Sequence, residues 1–519
     1  MSFKTRQYPT TMAGATLTRP REPGAAPAPQ PEAEGPERAG ARLVRWERAG
    51  LLALGVLALA GFAIYPTYPT YDSIYSMVWG RELLDGAPLS FEAYRAPTEH
   101  PLAIAIGALL SPLGDVGARL WVGLCIGSFV ALVAGLYTLG KRAFTPLVGV
   151  AAAVLLLSRF DFAFLAARGY IDSIYLAMVL WAAVLEMRSR EKARGPGGTS
   201  VLALLALAGM LRPEAWLLAG AYFLWIACRS TVSWRRRAAW ALLTAFAPLI
   251  WVTTDLLVTG NPLFSFTGTS ELAAELGRNK GLAAVPEALW TYLLALDKLP
   301  VVLAGILGLA LAAWIAPARL GMPLVLLGMG VATFAAVGAG GLSVISRYLL
   351  VPSLMVMVLA GVTVAGFSML APGRLRTAWA VAAGAIVLAG AAFTATKVDL
   401  VRLDNELRFR GDWRAALAQV LRAPDVQAGL RCGPVSVPNH KLIPDVRWIL
   451  DLPPGRVVAR SDPDATGRLD RGVSIVVHGR QALFSQALVS ERDDLRDNLP
   501  LPGYRRVATS QHYGAYVHC

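Results

Sequence analysis

Residues 42–72 read RLVRWERAGLLALGVLALAGFAIYPTYPTYD. Three arginines (Arg42, Arg45, Arg48) give way to an unbroken apolar run, and a Tyr-Pro-Thr repeat ends that run just before Asp72. A bilayer core needs roughly 20 apolar residues per helix. The segment 49–67 approaches that length, with cations on one side and a carboxylate beyond the other. Because Lys and Arg are retained on the cytoplasmic side of a membrane, it reads as a span that leaves the cytoplasm at Arg48 and reaches the outer face at Asp72.

The same reading extends outward in both directions. Of 519 residues, 55% are hydrophobic and 16% charged, with a mean hydropathy of +0.49, which is too apolar for a soluble protein of this size. Apolar runs recur from 49 to 397 and then stop, so the chain divides into 1–48, 49–397 and 398–519. The first part is rich in Pro, Ala, Glu and Arg (RPREPGAAPAPQPEAEGPERAG, 19–40) and reads as a disordered cytoplasmic tail. The last part alternates helical spacing (GDWRAALAQVLRA) with strand-like pieces (GPVSVPN, VSIVVHG) and ends in a hairpin pattern, RRVATSQHYGAYVHC. It reads as a small α/β domain.

Basic loops fix the order of crossings. Lys141 and Arg142, RSREKARG, RSTVSWRRR, Arg319, and Arg374 with Arg376 each follow an apolar run. Outward spans then fall near 49–67, 145–158, 199–211, 238–257, 322–340 and 378–397, with returns between them. The whole is a polytopic α-helical protein of about eleven spans, with its amino terminus cytoplasmic and the 398–519 domain outside the plasma (inner) membrane. The segment 101–114 is too short to cross and reads as a helix on the outer surface. The stretch 199–228 has basic loops on both flanks, so it reads as a hairpin of two short helices with Arg212-Pro213-Glu214 at its tip.

The net charge of +14 sits largely in these inner loops. It reports topology and attraction to anionic lipid, not a nucleic-acid partner. Cys125 and Cys228 lie in apolar runs, whereas Cys432 and Cys519 share the outer domain, where a disulfide between them is chemically permitted. No spacing resembles a metal site.

Candidate chemistry gathers at the outer ends. Asp72 is placed where a span meets water, at the start of a helix whose Ile74, Met77, Val78 and Trp79 can face lipid. It reads either as a helix N-cap or as a half-desolvated general base. The tetrapeptide Asp72-Ser73-Ile74-Tyr75 recurs at Asp172-Ser173-Ile174-Tyr175, which puts Asp172 in the same layer with the same two readings. Arg81, Arg95, Arg168, Arg212 and Arg347 share that side. They suit phosphate recognition, or else snorkel or pair with acids. His100, in the motif PTEHPL, precedes the surface helix.

Read together, these residues resemble the GT-C superfamily of membrane glycosyltransferases, most nearly the bacterial relatives of dolichyl-phosphate-mannose protein mannosyltransferases and the lipid A aminoarabinose transferases. The resemblance covers roughly residues 50–370. Its anchors are Asp72, GRELLDG (80–86), EHPL (99–102), ARGYIDSIYLAMVLWA (167–182), LRPEAWLL (211–218), GNPLFS (260–265) and SRYLLVPSLMVMVLAG (346–361). It implies a polyprenyl-phosphate sugar as donor, no other cofactor, inverting transfer to a glycan, lipid or protein hydroxyl, and Asp72 as base. Arg212 and Arg347, then Arg168 and His100, would bind the donor phosphate. Family members usually carry an acidic pair in the first loop, whereas Ser73 follows Asp72 here. That leaves Asp172, Glu92 or Glu99 to supply a second acid. Two other classes share the architecture: a transporter or flippase of a lipid-linked sugar, and a non-catalytic envelope protein that binds glycan.

Overall fold

The computed structural model describes residues 36–192, 196–229, 231–275, 277–278, 280–465, 467–486 and 495–519. Up to residue 35 the expected tail lies outside the described residues; from Pro36 the chain is helical. Helix α1 (Pro36–Ile64) stops at YPTYP because Pro66 and Pro69 donate no backbone hydrogen bond and hold the residues before them extended. Then follow α2 (Tyr71–Leu84), α3 (Pro101–Leu110) and α4 (Gly114–Ala143). A short 3-10 turn at Ser111–Leu113 and a left-handed Gly114 (φ +56°) separate the last two, a conformation that glycine adopts at least cost.

The lipid-facing surface expected for α2 is absent: Ile74, Met77, Val78 and Trp79 are fully buried. The helix lies between α3 and the carboxy-terminal domain. Its crossing with α3 is backbone against backbone, since a Cβ on Gly80 would sit 2.2 Å from the Ala108 nitrogen and one on Gly107 would sit 2.3 Å from the Ser76 carbonyl oxygen. The helix is therefore buried among protein partners, with Ser73, Ser76 and Glu82 buried beside its apolar residues.

The bundle continues with α5 (Pro146–Leu157), α6 (Phe160–Ala167), α7 (Asp172–Glu191), α8 (Thr199–Gly209), α9 (Glu214–Arg229), α10 (Trp234–Thr259) and α11 (Phe264–Glu275). After these come α12 (Val285–Asp297), α13 (Leu299–Ile315), α14 (Gly321–Ala339), α15 (Leu350–Ala365) and α16 (Arg374–Lys397). Nearly all of α15 is buried, whereas most of α16 exposes its apolar side chains, as a lipid-facing helix does.

Six helices among the described residues are long and apolar enough to cross a membrane. Two bent pairs, Pro146–Leu157 with Phe160–Ala167 (65°) and Leu282–Asp297 with Leu299–Ile315 (104°), raise the number to eight. That is fewer than the eleven expected. The shortfall lies in α7, which carries Asp172, Glu186, Arg188 and Arg190, and in the hairpin helices α8 and α9, of 11 and 16 residues.

The basic loops do gather. Arg142 pairs with Glu191, Arg319 donates to the Phe144 carbonyl (3.0 Å), and the hydroxyls of Thr145 and Ser368 meet at 2.7 Å. Toward the other end of α4, about 35 Å from Arg142 by helix rise, Arg119 donates to the Phe62 and Thr67 carbonyls.

The carboxy-terminal domain comprises α17 (Leu400–Leu421), α18 (Pro424–Gly429), α19 (Ile443–Leu450) and α20 (Arg480–Gln486). Its strands are β1 (Val435–Val437), β2 (Val457–Ala459), β3 (Gly472–Val477), β4 (Arg505–Thr509) and β5 (Tyr513–His518). The sheet order is β2-β1-β3-β5-β4, with β1 parallel to β2 and β3, and the β4–β5 hairpin antiparallel. The strand-like pieces and terminal hairpin read from sequence are these elements; β2, in RVVAR, is the one the reading missed. Cys432 and Cys519 are bonded to each other.

This domain clasps α2. Arg447, almost wholly buried, pairs with Glu82 and donates to the Ser90 hydroxyl (2.9 Å). Arg81 pairs with Asp451 (2.7 Å), and the Tyr94 hydroxyl donates to the Ser461 carbonyl (2.8 Å).

Candidate functional site

A cavity of about 720 Å³ opens where α2, the α8–α9 tip, the turn before α15 and the carboxy-terminal domain converge. Asp72, His100, Arg168, Arg212 and Arg347 all line it. These residues are distant in sequence, and each stands where a helix begins or ends, so the bundle delivers them to one place by ending its helices there.

Asp72 is the second residue of α2, with Thr70 at the N-cap position. It is therefore no cap. As an acid in the first turn it complements the helix dipole, and its Oδ2 lies 3.5 Å from Nη2 of Arg347. Asp172 is no cap either, because Ile171 holds that position before α7. Its carboxylate is fully buried, 2.5 Å from Arg212 and 3.6 Å from Arg347, and it does not reach the cavity. Arg212 also pairs with Glu214 at 3.2 Å. Asp72, with 29% of its side chain exposed against 0% for Asp172, is the carboxylate a molecule in the cavity can touch. Asp172 instead holds two of the arginines in place. A buried charge without a partner costs several kcal/mol, on the order of 3–5 when a pair is broken, so Asp172 and Arg212 fix each other.

A second cavity, of about 710 Å³, adjoins the first, and Arg168, Arg347 and Arg410 line both. The guanidinium carbons of Arg168 and Arg347 each lie 5.3 Å from the centre of the Tyr170 ring. Arg168 makes no ion pair among the described residues, whereas Arg410 pairs with Glu406 at 3.0 Å. Burial and then the charge of Arg168 lower the pKa of Arg410, a sign of cations drawn close together. Beyond this partition the second cavity is lined by apolar side chains, among them Phe160, Phe164, Leu165, Leu296 and Leu403, and by the charged Asp161, Asp399, Arg402 and Glu406. The two cavities thus meet at a cationic partition, and each presents both polar and apolar side chains.

His100 stacks edge-on against Trp251 at 5.7 Å, and its Nδ1 has no hydrogen-bond partner among the described residues. Burial, then Arg212 and Arg347, push its pKa down to about 3. At neutral pH it is an uncharged imidazole able to bond a ligand, not a cation for phosphate. Beside it Glu99 is buried against Asp255, and burial followed by that second carboxylate pushes its pKa up to about 8. Neither Glu99 nor the exposed Glu92 lines the cavity. The acids there besides Asp72 are Glu214 and Asp445.

Arg410, His440, Lys441 and Asp445 come to the cavity from the carboxy-terminal domain and are absent from the sequence reading. Only Arg410 left a signal, in the dense RFRGDWR, and nothing in that run says what it faces. Among the described residues no group of three or more His, Cys, Asp or Glu is placed to hold a metal ion. Comparison of the chain with known proteins finds no matching family model and no matching curated protein.

Proposed function

We propose that this chain is an integral-membrane glycosyltransferase that moves a sugar from a polyprenyl-phosphate donor to an acceptor hydroxyl, with inversion. The observation that carries this reading is the position of Asp72, 3.5 Å from Arg347 on the wall of the first cavity. Through Arg168, Arg347 and Arg410 that cavity adjoins a second one, which carries Phe160, Phe164, Leu165, Leu296 and Leu403 on its wall. In this reading a prenyl chain runs along those apolar side chains, its phosphate meets the arginines, and the sugar projects toward Asp72. Guanidinium groups match phosphate oxygens by charge and by paired donors.

In the reaction the acceptor oxygen attacks the anomeric carbon while the bond from that carbon to the phosphate oxygen breaks, its electron pair leaving on the phosphate. The hydroxyl proton passes to the Asp72 carboxylate. The arginines stabilise the departing charge, so no general acid is required. Arg347 touches both ends of this event, since it pairs with Asp72 and faces the phosphate of a bound donor.

In this reading α7, α8 and α9 join the eight apolar spans to make about eleven crossings. The amino terminus is cytoplasmic, as the clustered basic loops favour, and the two chambers open on the outer face of the plasma membrane.

The test is Asp72→Asn in purified protein reconstituted in lipid, with radiolabelled polyprenyl-phosphate mannose, glucose and arabinose as candidate donors. An amide preserves shape but accepts no proton, so transfer should fall by roughly 100-fold or more while donor binding stays near wild type. Transfer that survived the substitution would remove Asp72 as base. Donor carried across the bilayer intact would point instead to a transporter.

A further inference from the structure

The three parallel strands of the carboxy-terminal domain point the same way, and in open α/β sheets the crevice at the carboxyl ends of such strands is where ligands bind. Here that end is not free. β1 ends at Val437 and leads through Pro438 and Asn439 to His440, and β2 ends at Ala459, two residues before Ser461. The start of α2 and the loop after it cover both: Tyr94 donates to the Ser461 carbonyl, and Tyr71 and Tyr94 set their rings edge-on to His440 at 5.3 and 6.3 Å.

His440 is 7% exposed, its Nδ1 has no hydrogen-bond partner among the described residues, and it lines the first cavity. A buried polar atom without a partner is costly, and a ligand hydroxyl would satisfy it. Burial, then the charges of Arg95, Lys441 and Arg278, lower its pKa to about 3, so the ring is neutral and can accept or donate. The Tyr71 hydroxyl is already spent on the Arg95 carbonyl (2.7 Å), which leaves that residue's ring as its contribution, and Trp413 lies on the same cavity wall.

We propose that His440, with Tyr71 and Trp413, forms the acceptor subsite, and that the acceptor it takes is a saccharide. Aromatic surfaces take the apolar face of a sugar ring, and a few convergent polar atoms fix its hydroxyls. Tyr71 immediately precedes Asp72 in the chain, so a saccharide held here presents a hydroxyl on the side where the base stands. The assignment rests on the glycosyltransferase reading for its meaning, though not for its measurement.

The experiment uses full-length protein in lipid nanodiscs and a set of methyl glycosides (mannoside, glucoside, galactoside and arabinofuranoside), with binding read by saturation-transfer difference NMR. Wild type should bind at least one of them. His440→Phe keeps a ring between the tyrosines but removes the nitrogen, and should weaken that binding about tenfold, the usual scale for one lost hydrogen bond. His440→Gln should recover part of the loss. Donor affinity, measured in the same samples with polyprenyl-phosphate mannose, should stay within about twofold in the Phe variant, since the arginines that hold phosphate are unchanged. Absence of glycoside binding to wild type, or equal binding by the Phe and Gln variants and wild type, overturns the subsite. Glycoside binding that depends on His440 in a protein that binds no lipid-linked donor keeps the subsite and removes the transferase reading. Donor binding with glycoside contact indifferent to His440 does the reverse.

Discussion

Glu99 places a proton where a charge would be expected. Its pKa, ordinarily 4.5, is raised to about 8 by burial and by Asp255 beside it, so the folded protein holds a proton there that the unfolded chain releases. Stability from this group is therefore fully present below about pH 4.5 and is lost as pH rises through about 8. Glu99→Gln keeps the shape and cannot ionise. The melting temperature of wild type in nanodiscs should fall between about pH 5 and 9, and that of the variant should fall less. Parallel curves would show that Glu99 is not the titrating group. At this scale the sequence was partly legible. Asp72, the arginines and His100 stand out because charge is rare beside apolar runs, whereas the burial of Asp172 was hidden, since the same DSIY wording serves an accessible acid and an inaccessible one.

Helices α2 and α3 cross so closely that only glycine fits at Gly80 and Gly107. Gly107→Ala would drive a Cβ into the Ser76 carbonyl, one turn beyond Asp72, and no flexible side chain is there to yield. Overpacking of this kind costs typically 1–3 kcal/mol. The variant should melt several degrees below wild type, while Gly220→Ala, which meets nothing within 4 Å, should not. Equal melting temperatures would mean that the crossing can open without cost. The helix itself was readable from the residues around Asp72, but its surroundings were not. Reading Ile74, Met77, Val78 and Trp79 as lipid-facing assumed that the nearest apolar partner was the bilayer, when α3 and a domain encoded far downstream supply it. Eleven spans were counted from apolarity and loop charge; length alone withholds that status from α8 and α9, and charge withholds it from α7.

Across the molecule, the spans between the basic loop at Arg235 and the carboxy-terminal domain can be counted without reference to function. They are Trp234–Thr259, the bent pair Leu282–Asp297 with Leu299–Ile315, Gly321–Ala339, Ser346–Met369 and Arg374–Thr396. An odd number of crossings puts the two ends on opposite sides. With the exposed Cys228 replaced by Ser, a membrane-impermeant maleimide should label Asp464→Cys in intact cells and Arg235→Cys only after permeabilisation. Labelling of both from one side would make one of these segments re-entrant, with the sharply bent pair the first suspect. The α/β character of the last domain was legible because its strands are short apolar runs between turns. Its seat on α2 was not, because Glu82 and Arg447 each look like ordinary surface charges until they are seen together.

That buried pair bears on how such a protein can be inherited and recombined. Arg447 and Glu82 sit in segments at opposite ends of the chain, yet neither charge is tolerable without the other. A lineage that exchanged its carboxy-terminal domain for a foreign one would strand Glu82 and loosen the helix that carries Asp72. Grafts at residue 398 should therefore succeed only when the segment from Tyr71 to Tyr94 travels with the domain, and the two stretches should drift as one hereditary unit.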